Sequence, residues 1–118
     1  MNIVTKILSI AVALEFIYIF YLETVKTDSE KTAGTFGMDV SVHKHPNMNV
    51  SMKNQGVYNL GISALIIASL LIPGMKAMLI CILLYIVFVA AHGSLTVSRS
   101  IILKQGGLAI LALISTLF

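Results

Sequence analysis

From Ala77 to Val97 the chain runs 21 residues without a charged side chain. That is the length a helix needs to cross the hydrocarbon of a bilayer, about 17–25 residues. Three further stretches share its character: Ile3 to Val25, broken by Lys6, Glu15 and Glu23; Val57 to Ile72; and Ile101 to Phe118. None shows the strict alternation of a barrel strand, and a backbone in hydrocarbon must pair its own donors and acceptors, so all four read as helices. The expected fold is all-α: a single integral membrane domain spanning the whole chain, built as an antiparallel four-transmembrane-helix bundle. Its helices are placed at about 3–25, 55–72, 77–97 and 100–118, with a polar loop over 26–53.

Composition agrees. Of 118 residues, 58% are apolar and 11% charged, against about 25% charged in soluble domains. That leaves too little polar surface to face water. The net charge of +3 comes from residues flanking apolar runs, which marks topology and lipid headgroups rather than nucleic acid. Cys81 is the only cysteine and excludes an intramolecular disulfide. Ala11-Val12-Ala13 mimics a signal-peptidase site, but the apolar run continues far past it, so a retained first helix is expected.

Pro73-Gly74 signals a tight turn between the second and third helices, and the connection around Ser98-Arg99-Ser100 is also short; both make their helices antiparallel. The loop over 26–53 is the exception. It reads either as a floppy connection or, through the alternation of Phe36, Met38, Val40 and Val42, as an interfacial strand or lid. Six basic residues on the face holding this loop and the third connection, against Lys6 and Lys76 on the other, place these loops in the cytoplasm and both termini outside.

In that topology polar residues converge at one mouth of the bundle: Glu23 closing the first helix; Asn54, Gln55, Tyr58 and Asn59 opening the second; His92, Thr96, Ser98 and Arg99 closing the third; Gln105 opening the fourth. With a rise of about 1.5 Å per residue, Glu15 lies roughly 13 Å below the end of its helix. A carboxyl there costs several kcal/mol unless protonated or paired. It reads as a proton-carrying or ligand-binding group, or as a helix-gluing acid held by Tyr18 or Asn59. His92 reads as a hydrogen bond to a quinone or lipid headgroup, as a proton relay with Glu15, or as one interhelical bond. Arg99 is expected to pair with Glu23 or a lipid phosphate. His43-Lys44-His45 lacks a third ligand and no metal is expected. Ala64 and Ala68 form an expected small-residue packing face. No catalytic or cofactor fingerprint is present. The candidate ligand-binding set is Glu15, Tyr18, Glu23, Asn54, Gln55, Tyr58, Asn59, His92, Arg99 and Gln105.

Three stretches taken together carry a resemblance: Ala13 to Glu23 (ALEFIYIFYLE), Asn54 to Asn59 (NQGVYN), and Thr96-Val97-Ser98-Arg99 followed by Gln105-Gly106. The chain resembles the bacterial "domain of unknown function 1304" family, small four-helix membrane proteins distantly similar to the DoxX-like group. Phe16 stands where the family pattern has His, Leu108 where it has Pro, and the region from His43 to Asn49 is expanded. The resemblance implies the fold, and by analogy a link to quinone-dependent redox work.

Three functions remain open. The first is a non-enzymatic membrane protein binding a lipophilic molecule, a lipid or quinone, in the polar pocket. The second is a membrane subunit of a DoxX-like quinone-linked oxidoreductase whose partner carries the redox centre. The third is a proton-coupled exporter, against which the lack of Trp counts. No resident cofactor is expected; membrane lipids are the expected surroundings, and monomer and homodimer are both compatible with thin helices.

Overall fold

The computed structural model describes residues 1–97 and 99–118; Ser98, one of the polar residues placed at the end of the third helix, lies outside them. Among the described residues the chain is entirely helical, with α1 Ile3–Phe20, a π turn Tyr21–Val25, α2 Glu30–Thr35, α3 Val40–Lys44, α4 Pro46–Leu71, α5 Lys76–Thr96 and α6 Ile101–Ser115. Three stretches are long and apolar enough to cross a membrane: Ile3–Val25, Pro46–Leu71 and Lys76–Thr96. The fourth apolar helix, α6, has 15 residues and is shorter. The chain divides into two compact units, one of Met1–Ala13 with Ala64–Phe118 and the other of Leu14–Ser63.

In the first unit, α5 and α6 form an antiparallel hairpin packed through small residues. A Cβ on Gly93 would meet Ile101 Cγ2 at 3.0 Å, and one on Gly106 would meet the Ala90 methyl at 3.2 Å. Ala90, Ala109 and Ala112 are fully buried. Small side chains let helix backbones approach closely where water exclusion supplies no drive. Ser94 Oγ clamps the turn, accepting the Ile102 N–H at 2.7 Å, one of the donors left open at a helix start. The beginning of α1 is tied to the end of α6: the Asn2 amide donates to the Ser115 carbonyl at 2.8 Å, and the Thr5 and Ser115 hydroxyls bond at 2.8 Å. Gly74, at φ +80°, makes the expected turn after α4. The small-residue face expected at Ala64 and Ala68 is not the buried one: Ala64 is exposed, while Ile66 and Ser69 turn inward. A step of two residues rotates a helical position by about 200°, so Ala64 lies across the helix from Ile66.

α1 buries Val12, Ala13, Phe16 and Ile19, but its first turns are polar within and apolar without. Thr5 and Ser9 are fully buried, whereas Ile3, Ile7, Ile10 and Leu14 are exposed. Water would favour the opposite arrangement; a hydrocarbon solvent tolerates this one.

In the second unit the segment read as a floppy connection, or as an interfacial strand or lid, holds two short helices. Ser29 caps α2, its Oγ accepting the Thr32 N–H at 3.1 Å, and Asp39 caps α3, accepting the Ser41 N–H at 2.9 Å. Gly37, φ +68°, lies just beyond the end of α2 at Thr35. There the Met38 N–H reaches the Ala33 carbonyl at 2.8 Å and the Gly37 N–H reaches Gly34 at 3.3 Å, the paired bonds of a glycine-terminated helix. Phe36, Met38, Val40 and Val42 therefore do not form a strand; the caps divert that segment into two short helices. The second long helix starts at Pro46, nine residues before the expected 55. Proline at the first helical position has no N–H to lose and its φ already suits the helix.

Candidate functional site

The first long helix ends in a wide turn. The Lys26 N–H bonds the carbonyl five residues back, Tyr21, at 3.0 Å. A helix end leaves carbonyls open, and each open group is costly where it is buried. Here hydroxyls cap them. Thr27 Oγ1 donates to the Glu23 carbonyl at 2.6 Å, and Thr32 Oγ1 lies 3.1 Å from the Leu22 carbonyl and 2.7 Å from that of Lys26. Lys53, from α4, places its Nζ 2.9 Å from Thr27 Oγ1, and the Thr24 hydroxyl donates to the Lys53 carbonyl at 2.9 Å.

These contacts bring α4 against the wide turn at Gly56. A Cβ there would collide with Thr24 Oγ1 and lie 3.1 Å from the Thr24 amide nitrogen, so the approach requires glycine. The approach sets Asn59 beside Glu23. The Glu23 side chain is fully buried, and its Oε1 accepts the Asn59 amide at 2.5 Å. Gln55, one turn earlier on α4 and exposed, also interacts with this carboxyl. Oε2 nonetheless has no well-aligned donor among the described residues.

The candidate set is thus sorted. Glu23, Gln55 and Asn59 form one cluster. Asn54 and Tyr58 are exposed, Tyr58 at 76%. Glu15 is half-buried with Oε1 unpartnered among the described residues. The holding bonds expected from Tyr18 and Asn59 go elsewhere: Asn59 serves Glu23, and the Tyr18 ring lies 5.5 Å under the Lys31 ammonium. Hydrogen bonding to Tyr18 raises the Lys31 ammonium above its ordinary range. His92 and Arg99 are exposed and Gln105 is half-buried. Arg99 contributes its carbonyl to the α5–α6 turn, accepting from Ser94 Oγ at 3.3 Å.

A second polar centre was not anticipated. His43 is fully buried, its ring stacked on Phe36 with centroids 6.5 Å apart. Its Nδ1 lies 2.9 Å from the Thr27 carbonyl and its Nε2 3.4 Å from Met38 Sδ. The cap signals at Ser29 and Asp39 would have revealed the helices that bury it.

The profile of a family described as "Protein of unknown function (DUF1304)" matches residues 10–117. An uncharacterized protein, YpaA of Lactococcus lactis subsp. lactis (strain IL1403), is 46% identical over 119 residues, covering the whole of both chains. No solved structure matches the chain. These similarities lend nothing to the DoxX-like kinship.

Proposed function

Since this chain belongs to the DUF1304 family, we propose that it is a multi-pass membrane protein that binds the polar head of a lipophilic molecule, a lipid or quinone-type compound, at the Glu23–Asn59 cluster. In this reading it crosses the bilayer four times as an antiparallel bundle. α6 at about 1.5 Å per residue is roughly 22 Å long, short of the roughly 30 Å hydrocarbon layer, and local thinning with Lys104 snorkelling makes up the difference. The tie between Asn2 and Ser115 supports a common side for both ends. The charge bias puts that side outside the cell and the segment after the wide turn in the cytoplasm.

The observation that carries the ligand reading is the unpartnered Oε2 of a fully buried glutamate. An unsatisfied buried acceptor costs about 1–3 kcal/mol, which a ligand donor would recover. Gln55 is the exposed neighbour of that carboxyl and the side chain a headgroup would meet beside it. Ionised, Glu23 only accepts and suits an ammonium or hydroxyl head; protonated, it also donates and suits a carbonyl such as a quinone's.

The test is native mass spectrometry of the protein extracted in mild detergent. Wild type is expected to retain a lipid or quinol that the Glu23→Leu, Asn59→Leu double variant loses. Equal retention by both would remove the basis of the proposal.

A further inference from the structure

We propose that Lys31, Tyr18 and Tyr21 form a phosphate site for an anionic phospholipid of the surrounding bilayer, on the exposed face of the first long helix and separate from the Glu23 cluster. The geometry begins with Thr32. Its hydroxyl lies 3.1 Å from the Leu22 carbonyl, which holds the start of α2 back against the end of that helix. Lys31 is the preceding residue. Its ammonium comes to rest 5.5 Å from the centre of the Tyr18 ring, and Tyr18 lies one turn before Leu22. Asp28 and Glu30 stand closer in sequence, yet the partners of this ammonium are Tyr18, through a hydrogen bond, and Tyr21.

The donors can be counted. An ammonium carries three N–H groups and accepts nothing. The Tyr18 hydroxyl takes one of them, which leaves two. A phenol that accepts still has its own O–H to give. The three side chains therefore present a positive charge and several hydrogens, with no carboxylate among them. An anion with several oxygens answers that set, and lysine serves phosphate as a point charge. The face around the site says which phosphate. Tyr18 and Tyr21 are 45% and 42% exposed, and the residues that precede them on the helix, Leu14 and Ile17, are also exposed. A cationic end thus runs on into an apolar strip. A phospholipid covers both, its phosphate at Lys31 and its acyl chains along Leu14 and Ile17; a free phosphate covers only the first. Tyrosines favour the headgroup level of a bilayer, and a lysine beside them gains from anionic lipid. The site rests on reading the first long helix as a membrane span and on nothing at Glu23.

The test is native mass spectrometry of the full chain in mild detergent, offered equal amounts of phosphatidylglycerol and phosphatidylcholine. Wild type is expected to carry phosphatidylglycerol in roughly fivefold preference, the gain of one lysine near an anionic headgroup. Lys31→Gln is expected to abolish the preference and Lys31→Arg to keep it. Tyr18→Phe, which keeps the ring and loses the hydroxyl, is expected to reduce it. Lys26→Gln removes the same charge from an exposed neighbour and is expected to leave the preference within about twofold. Millimolar inorganic phosphate is expected not to displace the lipid. No preference in wild type, an unchanged preference in Lys31→Gln, an equal loss in Lys26→Gln, or displacement by inorganic phosphate would each overturn the site. A chain that stays monodisperse without detergent would instead overturn the span beneath it. The Glu23→Leu, Asn59→Leu double variant is expected to keep the preference, so failure at one site is distinguishable from failure at the other.

Discussion

The Asn59 side-chain amide reaches Glu23 Oε1 across 2.5 Å and 36 positions of sequence, and by doing so fixes the register of α4 against the wide turn that ends the first long helix. Asn59→Leu is expected to destabilise the protein by about 1–3 kcal/mol, the cost of leaving a buried acceptor without its donor. Adding Glu23→Leu should recover part of that loss, because removing both partners leaves no orphan. Unfolding in mixed micelles, followed by circular dichroism, measures both.

The same contact makes Gly56 irreplaceable and Gly61 dispensable. A methyl on Gly56 would run into Thr24, including its backbone nitrogen, so Gly56→Ala should cost about 1–3 kcal/mol. Nothing lies within 4 Å of a Cβ on Gly61. Gly61→Ala should leave stability unchanged or raise it by up to about 1 kcal/mol. Paired melting curves of the two variants decide this.

Gly74 sits at φ +80°, in the region where a Cβ costs about 1–2 kcal/mol. Gly74→Ala is expected to lose about that much stability, with nothing else near the Cβ to add to the cost. The same unfolding assay reads it.

The cap of α3 should depend on pH. The backbone bond from Ser41 holds the Asp39 carboxyl below its ordinary 3.8. Its folded value is depressed, so its contribution is present above the unfolded value and fades as pH falls through the folded one. The Ser41 amide resonance should hold steady from pH 7 to about 4 and move only below that. Asp39→Asn, which caps without titrating, should abolish the movement.

The long apolar segments were legible because length and lack of charge are what a bilayer selects, and the Pro73-Gly74 turn announced itself. The segment from Lys26 to Lys53 was less legible because its polarity suits a loop as well as short capped helices. Ser29 and Asp39 mark helix starts, Gly37 a helix end and Pro46 a first helical position, and these four residues specify everything that replaced the expected loop or strand. Glu23 and Asn59 were both named from the sequence. Their partnership depended on a wide turn and on the close pass at Gly56, neither of which leaves a periodic trace. Small-residue packing was assigned to Ala64 and Ala68, yet it operates at Gly93, Gly106 and Ala90. Spacing alone does not tell which face of a uniformly apolar helix turns inward.

The proposed lipid-binding function rests on the proposal of four crossings in hydrocarbon, and single-cysteine labelling tests that proposal directly. In a Cys81→Ser background, Asn2→Cys, Lys31→Cys, Arg99→Cys and Phe118→Cys are exposed in turn to a membrane-impermeant maleimide on intact cells and on opened membranes. The account predicts that positions 2 and 118 react from one side of the membrane and positions 31 and 99 from the other. Reaction of position 118 from the same side as position 99 would show that α6 does not cross, and would contradict the account.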